Sequence, residues 1–323
     1  MKQWIRTGLA LACLLSSGFA LAQGTSGFPS RPMRIVVAFP PGGSNDILAR
    51  IVAQRMSETW GQPVVVENRP GANTIIAVEQ VIKSPPDGHT LLVGASSTYT
   101  INPQTYAKLS YDPVRDLMPV TLMGSHPMVV AVHPSLAAKS IPELIALAKS
   151  RPGQLNYGTP TITFQVMVET FSQIAGVQLN HIPYKGSVPA LTALLSNDVQ
   201  MIFIDPAPIV SHLRSGRVRG LAVTSPARSP SVPELPTVAE AGLPGFEGVL
   251  WNGLFAPAGT PREIIAKLQA EAHVAVHRPE LRERLTGLGI DPVANTPEQF
   301  TELLRAESAR FATVVKAAKI KAE

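Results

Sequence analysis

The chain has 323 residues, 45% of them hydrophobic and 16% charged, which is enough apolar material for a large core and, by length, about two domains. Its net charge of +5 comes from scattered Lys and Arg, and aromatics make up only 6%, so the basic stripes interleaved with stacking rings that mark a nucleic-acid binder are missing. The tightest basic cluster, Arg214, Arg217 and Arg219, reads equally well as a solvated turn.

The first residues read as an export signal. Lys2 and Arg6 precede a nearly apolar stretch from Gly8 to Leu21, and Ala20-Leu21-Ala22 places a small-x-small cleavage site between Ala22 and Gln23. The stretch is too short, with these flanks, for a spanning helix. Ala10-Leu11-Ala12 before Cys13 leaves a lipid-anchored reading open, although only six residues separate Arg6 from Cys13. Cys13 is the only cysteine, so cleavage leaves a chain with no disulfide, thiol nucleophile or thiolate metal site. An exported two-domain protein of that kind fits a bacterial periplasm.

The mature chain opens on a buried strand ending in Phe39-Pro40-Pro41-Gly42-Gly43, followed by Ser44, Asn45 and Asp46 and then by Ile47, Leu48, Ile51, Val52 and Met56 at helical spacing. Such a strand–turn–helix corner has two uses. It is an ordinary capped turn, or it is a seat for a carboxylate or phosphate on the free N–H groups of the helix start. A strand Val64–Glu67, a loop Asn68–Thr74, a helix Ile75–Ile82 and a turn Pro85–Gly88 follow. A strand Leu91–Gly94 then opens into the hydroxyl-rich Ala95-Ser96-Ser97-Thr98-Tyr99-Thr100. Alternating strands and helices predict a parallel sheet, whose ligands lie beyond the C-terminal strand ends. Both loops sit at such ends.

Met118–Val132, interrupted at Gly124-Ser125-His126-Pro127, reads as a strand crossing between domains. A helix capped by Ser140 runs to about Ser150. Then come a strand Leu155–Gly158, a polar corner Thr159–Thr163, a helix Phe164–Ala175, a strand Gln178–Pro183, a helix Ser187–Leu195, a strand Val199–Ile204 ending at Asp205, and a strand Val218–Thr224. The Thr159–Thr163 corner is a second candidate anion seat. A proline-rich stretch, Ser225–Gly248, carries capping-box spacing at Thr237 and Glu240 and so predicts a short helix. Leu250–Ala256 reads as the return crossing. Helices started by Thr260-Pro261 and Thr296-Pro297 run to about Val276 and about Ala318.

No residue set points to catalysis. The histidines have no metal spacing, His126 and His133 lack a carboxylate partner nearby in sequence, and there is no nucleophile elbow, Walker loop or spaced carboxylate pair. Asp205 is either a ligand acceptor or a helix cap, Tyr99 a ring over the ligand or an interface residue, Trp251 hinge core or cage, and Arg69 a carboxylate clamp or a structural residue.

Six stretches together carry a resemblance: Phe39-Pro40-Pro41-Gly42-Gly43, Glu67-Asn68-Arg69-Pro70-Gly71-Ala72, Pro85-Pro86-Asp87-Gly88-His89-Thr90-Leu91-Leu92, Ile182-Pro183-Tyr184-Lys185-Gly186, Pro236-Thr237-Val238-Ala239-Glu240-Ala241-Gly242 and Trp251-Asn252-Gly253-Leu254-Phe255-Ala256-Pro257. In this order they resemble the substrate-binding proteins of tripartite tricarboxylate transporters, the Bug proteins, from about Phe28 to about Arg310. The resemblance implies an α/β, class II-like periplasmic binding protein of two lobes hinged on two crossing strands. Residues 1–22 are then the leader, 29–125 plus 253–323 one lobe, and 126–252 the other. It implies a small organic carboxylate as ligand, a two-component membrane permease as partner, a monomer, no cofactor or metal and no enzymatic step. A ligand sensor for a signalling protein would use the same site. In the family a carboxylate is held by backbone groups and waters at the first turn, which is Phe39, Pro40, Pro41, Gly42, Gly43 and Asp46 here. The hydroxyl loop corresponds to Ser96, Ser97 and Thr98, the second-lobe loop to Thr159, Thr161 and Thr163, and the acidic loop to Asp205.

Two places depart from the family pattern. Gly158-Thr159-Pro160-Thr161-Ile162-Thr163-Phe164 replaces a Ser/Gly-rich loop, and Asn73-Thr74 follows Ala72 where glycine is usual. The first departure suits an aromatic or longer-chain carboxylate if Ile162 and Phe164 face the cleft, and says nothing of the ligand if they face the core.

Overall fold

The computed structural model describes residues 27–322. The expected leader, its cleavage site and Cys13 lie outside the described residues. Two sheets form two lobes. The first has strand order β11-β4-β10-β3-β1-β2 and the second β7-β6-β8-β5-β9.

In the first lobe β1 (Met33–Val37) pairs in parallel with β2 (Val64–Asn68) and with β3 (Thr90–Gly94). The central strands β1 and β3 are mostly apolar and buried because the middle of a parallel sheet is covered on both faces, while the edge strand β2 is only partly buried. One face packs on α1 (Ser44–Trp60) and α7 (Arg262–His277), the other on α2 (Ile75–Ile82) and the first half of α9 (Pro297–Ala318). β10 (Val249–Pro257) runs antiparallel to β3, and β4 (Leu117–Pro127) antiparallel to β10.

The second lobe repeats this plan. β6 (Asn156–Thr159) is parallel to β7 (Asn180–Pro183) and β8 (Met201–Ile204). β5 (Val129–Val132) lies antiparallel between β8 and β9 (Arg219–Val223). Its helices are α3 (Ile141–Ser150), α4 (Ile162–Ala175), α5 (Ser187–Leu195) and α6 (Pro206–Arg214). Each sheet thus takes as a central antiparallel member a strand that arrives from the other lobe: β10 for the first, β5 for the second. The expected single crossing strand Met118–Val132 is divided at Met128, where the chain changes sheets. Thr224, fully buried, ties the two crossings together: its hydroxyl accepts from Met128 N at 2.8 Å, and its carbonyl accepts from Gly248 N at 2.9 Å.

Helix α9 straddles both lobes. Phe300 and Leu304 enter the first-lobe core, while Phe311, Val314 and Val315 enter that of the second. Its start has the expected capping box, with Gln299 N donating to Thr296 Oγ1 at 3.2 Å and Thr296 N donating to Gln299 Oε1 at 3.0 Å.

Several local expectations are corrected. Thr237 and Glu240 exchange the two capping-box bonds, at 3.1 and 3.0 Å, but close only a turn, because Gly242 and Pro244 follow within one helical turn. Thr260 does not cap α7; its hydroxyl donates back to Pro257 O at 2.8 Å and the N-cap is Pro261. The hydroxyl-rich loop is a single π-helical turn, Ser97–Ile101. A helix α8 (Pro279–Gly287) and a two-residue strand β11 (Asp291–Pro292) follow α7 and have no counterpart in the sequence reading.

Candidate functional site

The first corner is built by Asp46. Burial pushes its carboxyl up, but hydrogen bonds from Arg50, the Gly42 amide and Asn68 outweigh that and hold it below the usual range. Oδ2 accepts from Gly42 N at 3.0 Å and from Arg50 Nε at 3.0 Å, while Oδ1 accepts from Arg50 Nη2 and from Asn68 Nδ2, both at 2.9 Å. Asn68 Nδ2 also donates to Phe39 O at 3.1 Å. Asp46 therefore fastens both ends of the turn. Gly42 sits at φ +90, which a side chain adopts only with strain. Pro40, Pro41, Gly42 and Gly43 are exposed, Phe39 is half-buried, and the free start of α1 faces outward with no side-chain cap. That leaves its N–H groups and dipole available to an anion.

Ser96, Ser97 and Thr98 are buried beside this corner, at the end of β3. Two of the three hydroxyls turn into the lobe. Thr98 Oγ1 lies 3.2 Å from Thr74 Oγ1, and Ser96 Oγ lies 3.5 Å from Glu307 Oε1. Ser97 takes no part in these bonds. Glu307, on α9, also accepts from Thr100 Oγ1 at 2.8 Å and Trp251 Nε1 at 2.9 Å. Burial pushes its carboxyl up, against the pull of those donors. Trp251 is thus hinge core, and Tyr99 stacks on Phe255 with ring centroids 5.7 Å apart. Arg69 is paired with Glu67.

In the second lobe Thr159 Oγ1 meets His181 Nε2 at 2.7 Å, and burial pulls His181 down, below the ordinary histidine value. Thr161 is the N-cap position of α4 without a side-chain capping bond, and Thr163 is buried. Phe164 lies in the lobe core and Ile162 packs against that core, so Phe164 is not a cleft wall. Asp205 precedes α6 but makes no capping bond; Pro208, the third residue of the helix, has no N–H to give it. Its Oδ2 instead accepts from Ser187 Oγ at 3.0 Å.

The lobes meet beside Asp205. His126 Nδ1 lies 3.4 Å from Asp205 Oδ1, and His126 Nε2 lies 3.2 Å from Ser44 Oγ at the start of α1. Asn252 Nδ2 donates to the same Ser44 Oγ at 3.0 Å. Gly289 of the first lobe abuts Pro206 and Ser231 of the second. The structure therefore brings the first corner and Asp205 to one junction, while Thr159 is bonded to His181 within its own lobe. An open groove of about 560 Å³ lined by Pro230, Pro279, Arg282, Glu283, Thr286 and Gly287 lies elsewhere, and its charged side chains are solvated. Ser44, His126, Asn252 and Glu307 were not among the site residues expected from sequence. Their partners lie 56 to 211 positions away, so no local spacing marks them. Among the described residues no group of three or more His, Cys, Asp or Glu is placed to hold a metal, and no helix is long and apolar enough to cross a membrane.

A family model described as tripartite tricarboxylate transporter family receptor matches residues 48–320. The protein BugT of Bordetella pertussis is 36% identical over 306 residues, 94% of this chain and 94% of that protein. Among solved structures, R. palustris Rpa4515 with adipate superposes with a TM-score of 0.83 at 35% identity, covering 91% of this chain and 99% of that one. MatC from Rhodopseudomonas palustris with bound malate gives 0.79 at 34% identity, covering 89% and 100%.

Proposed function

The chain belongs to the tripartite tricarboxylate transporter receptor family, and from that premise we propose that it is a periplasmic receptor which closes two lobes over a small organic carboxylate. The observation that carries this reading is the first corner: an uncapped helix start, preceded by two exposed glycines and held in shape by Asp46. It offers backbone donors and the positive end of a helix dipole, part of which the ionised Asp46 in the first turn offsets. The ligands named with Rpa4515 and MatC, adipate and malate, are both dicarboxylates, and we extend that class to this chain.

In this assignment the backbone of Phe39, Pro40, Pro41, Gly42 and Gly43 surrounds one carboxylate. Ser97, Thr161, Thr163 and Asp205 meet the rest of the ligand. Asp46, Ser96, Thr98 and Thr159 keep their place in the site but act by shaping it, because their side chains are already bonded within their lobes. The lobes are 29–125 plus 253–323 and 126–252 by the sequence, with the sheets changing over a few residues inside those bounds, at Met128 and Gly248, and ligand contacts made only when they meet shift the open–closed balance. A leader ending at Ala22 exports the chain. It works as a monomer that hands the ligand to a two-component permease, binds no nucleic acid and needs no cofactor.

No reaction is assigned to it. Ser44, His126 and Asp205 stand in the order of a hydrolytic triad, but the Asp205–His126 approach of 3.4 Å makes no hydrogen bond, and Asn252 already donates to the serine oxygen. The reading is tested by denaturing freshly purified protein, identifying the released small molecules by mass spectrometry and titrating them back. A carboxylic acid that rebinds supports it; a neutral solute that rebinds, with no acid competing, overturns it.

A further inference from the structure

Polar side chains that the anion seat itself does not use form one chain across the interlobe junction. Asn252 Nδ2 donates to Ser44 Oγ, Ser44 Oγ lies 3.2 Å from His126 Nε2, His126 Nδ1 lies 3.4 Å from Asp205 Oδ1, and Ser187 Oγ donates to Asp205 Oδ2. Ser44 begins α1 in the first lobe. His126 lies on β4, one strand residue short of the change of sheet, and Asp205 and Ser187 stand at the starts of α6 and α5 in the second lobe. His126 is 4% exposed, and its Nδ1 has no hydrogen-bond partner in the protein.

We infer that His126 is a positioning residue that couples lobe closure to the anion seat, by holding Ser44 with one ring nitrogen and Asp205 with the other and taking up a proton as the anion enters. The inference rests on the first corner being an anion seat. Its logic is the donor count of an imidazole. A ring protonated on both nitrogens donates to Ser44 and to Asp205 together. The Ser44 hydroxyl proton is then free to point at a carboxylate in front of α1. A neutral ring has one N–H and satisfies one side only. With Nε2 protonated, the Nδ1 lone pair faces the Asp205 carboxylate. With Nδ1 protonated, Nε2 takes the Ser44 proton and the serine turns a lone pair to the anion.

Two carboxylates approach the ring. Asp205 faces it from the second lobe. Asp291 faces it from β11, and its carboxyl is pushed up by burial and pulled back by His126. Ser44, against the ring, and Asn252, which donates to Ser44, are neutral. An entering carboxylate adds a further negative charge, so anion binding and proton uptake are linked and each strengthens the other. Closure that depends on this proton is accordingly expected to weaken as pH rises.

The test has a ligand-free arm and a ligand arm. In the first, spin labels are placed at Val65→Cys in one lobe and Val188→Cys in the other, both exposed positions, with Cys13→Ser, and interlobe distances are measured without ligand. Going from about pH 6 to about pH 8 should lower the closed fraction roughly threefold or more in the otherwise wild-type chain. Asp205→Asn should lower it at pH 6 by a similar factor, and His126→Gln should remove the pH response. In the second arm, adipate is titrated at about pH 7.5 in buffers of different ionisation enthalpy. The expected uptake is about one proton per adipate in the wild type and none in His126→Gln. Wild-type distances that ignore pH, or a pH response that survives in His126→Gln, overturn the role of His126. If adipate does not bind at all, the anion-seat reading is what suffers, and the ligand-free distances still decide the role of His126.

Discussion

Glu307 shows how much one side chain contributes here. It is nearly fully buried, sits midway along the helix that joins both lobes, and takes hydrogen bonds from the hinge strand at Trp251 and from the hydroxyl turn at Thr100. Burial raises its carboxyl, so the ionised form is penalised in the fold and that penalty grows as pH rises above the ordinary glutamate value of 4.5. Glu307→Gln keeps an acceptor for both donors without the charge. It should therefore be neutral or stabilising above pH 7 by thermal denaturation. Glu307→Ala leaves the Trp251 and Thr100 donors unpaired and should cost about 3 kcal/mol. Asp46 carries the opposite sign. Its carboxyl is held down in the fold, so its contribution is present above the ordinary aspartate value of 3.8 and is lost as pH falls through its lower folded value. Asp46→Asn should weaken carboxylate affinity and flatten the acid limb of a stability–pH profile. Its ion pair with Arg50, whose side chain is 54% exposed, adds little to either effect. Ser44→Ala should leave hydrolysis of an activated ester at the background rate of the wild type; a clear loss would mean that the Ser44–His126–Asp205 order is chemistry after all.

At the scale of elements, the strands and most helices were legible because burial is written into the chain. β8 is an unbroken apolar run, β1 and β3 are nearly so, and α9 announces itself by Thr296, Pro297 and Gln299. The first corner and Asp205 were legible for the same reason, since they follow such runs. Elements without their own pattern were not. β11 is two residues long and exists by pairing with β4, and the turn at Thr237 has helix-start chemistry but no room for a helix. Long-range partners were also invisible: His126 looks solitary in sequence and acquires Ser44 and Asp205 only when the lobes fold. Phe164, weighed as a cleft residue, packs into the second-lobe core, so Phe164→Ala should cost about 3–5 kcal/mol in chemical denaturation and leave ligand selectivity as it is. Thr224→Val keeps the shape at the hinge but removes the acceptor of Met128 N. A loss of about 2 kcal/mol, with wider interlobe fluctuation in hydrogen exchange, is expected.

At the scale of the molecule, two lobes of one plan exchange a strand each, and α9 spans them with an apolar patch in each core. The two crossings are tied together at Thr224. The first corner of one lobe and Asp205 of the other face the same junction. The claim on which everything rests is that this junction is for an anion. The most direct measurement is a thermal-shift titration of the purified protein with aliphatic, amino and aromatic carboxylates, each beside its neutral amide. A bound acid at 100 times its dissociation constant stabilises the fold by about 2.7 kcal/mol. The account predicts such a shift with at least one class of acid, its absence with the matching amide, and its loss in Asp46→Asn. A shift by amides equal to that of the acids would contradict it.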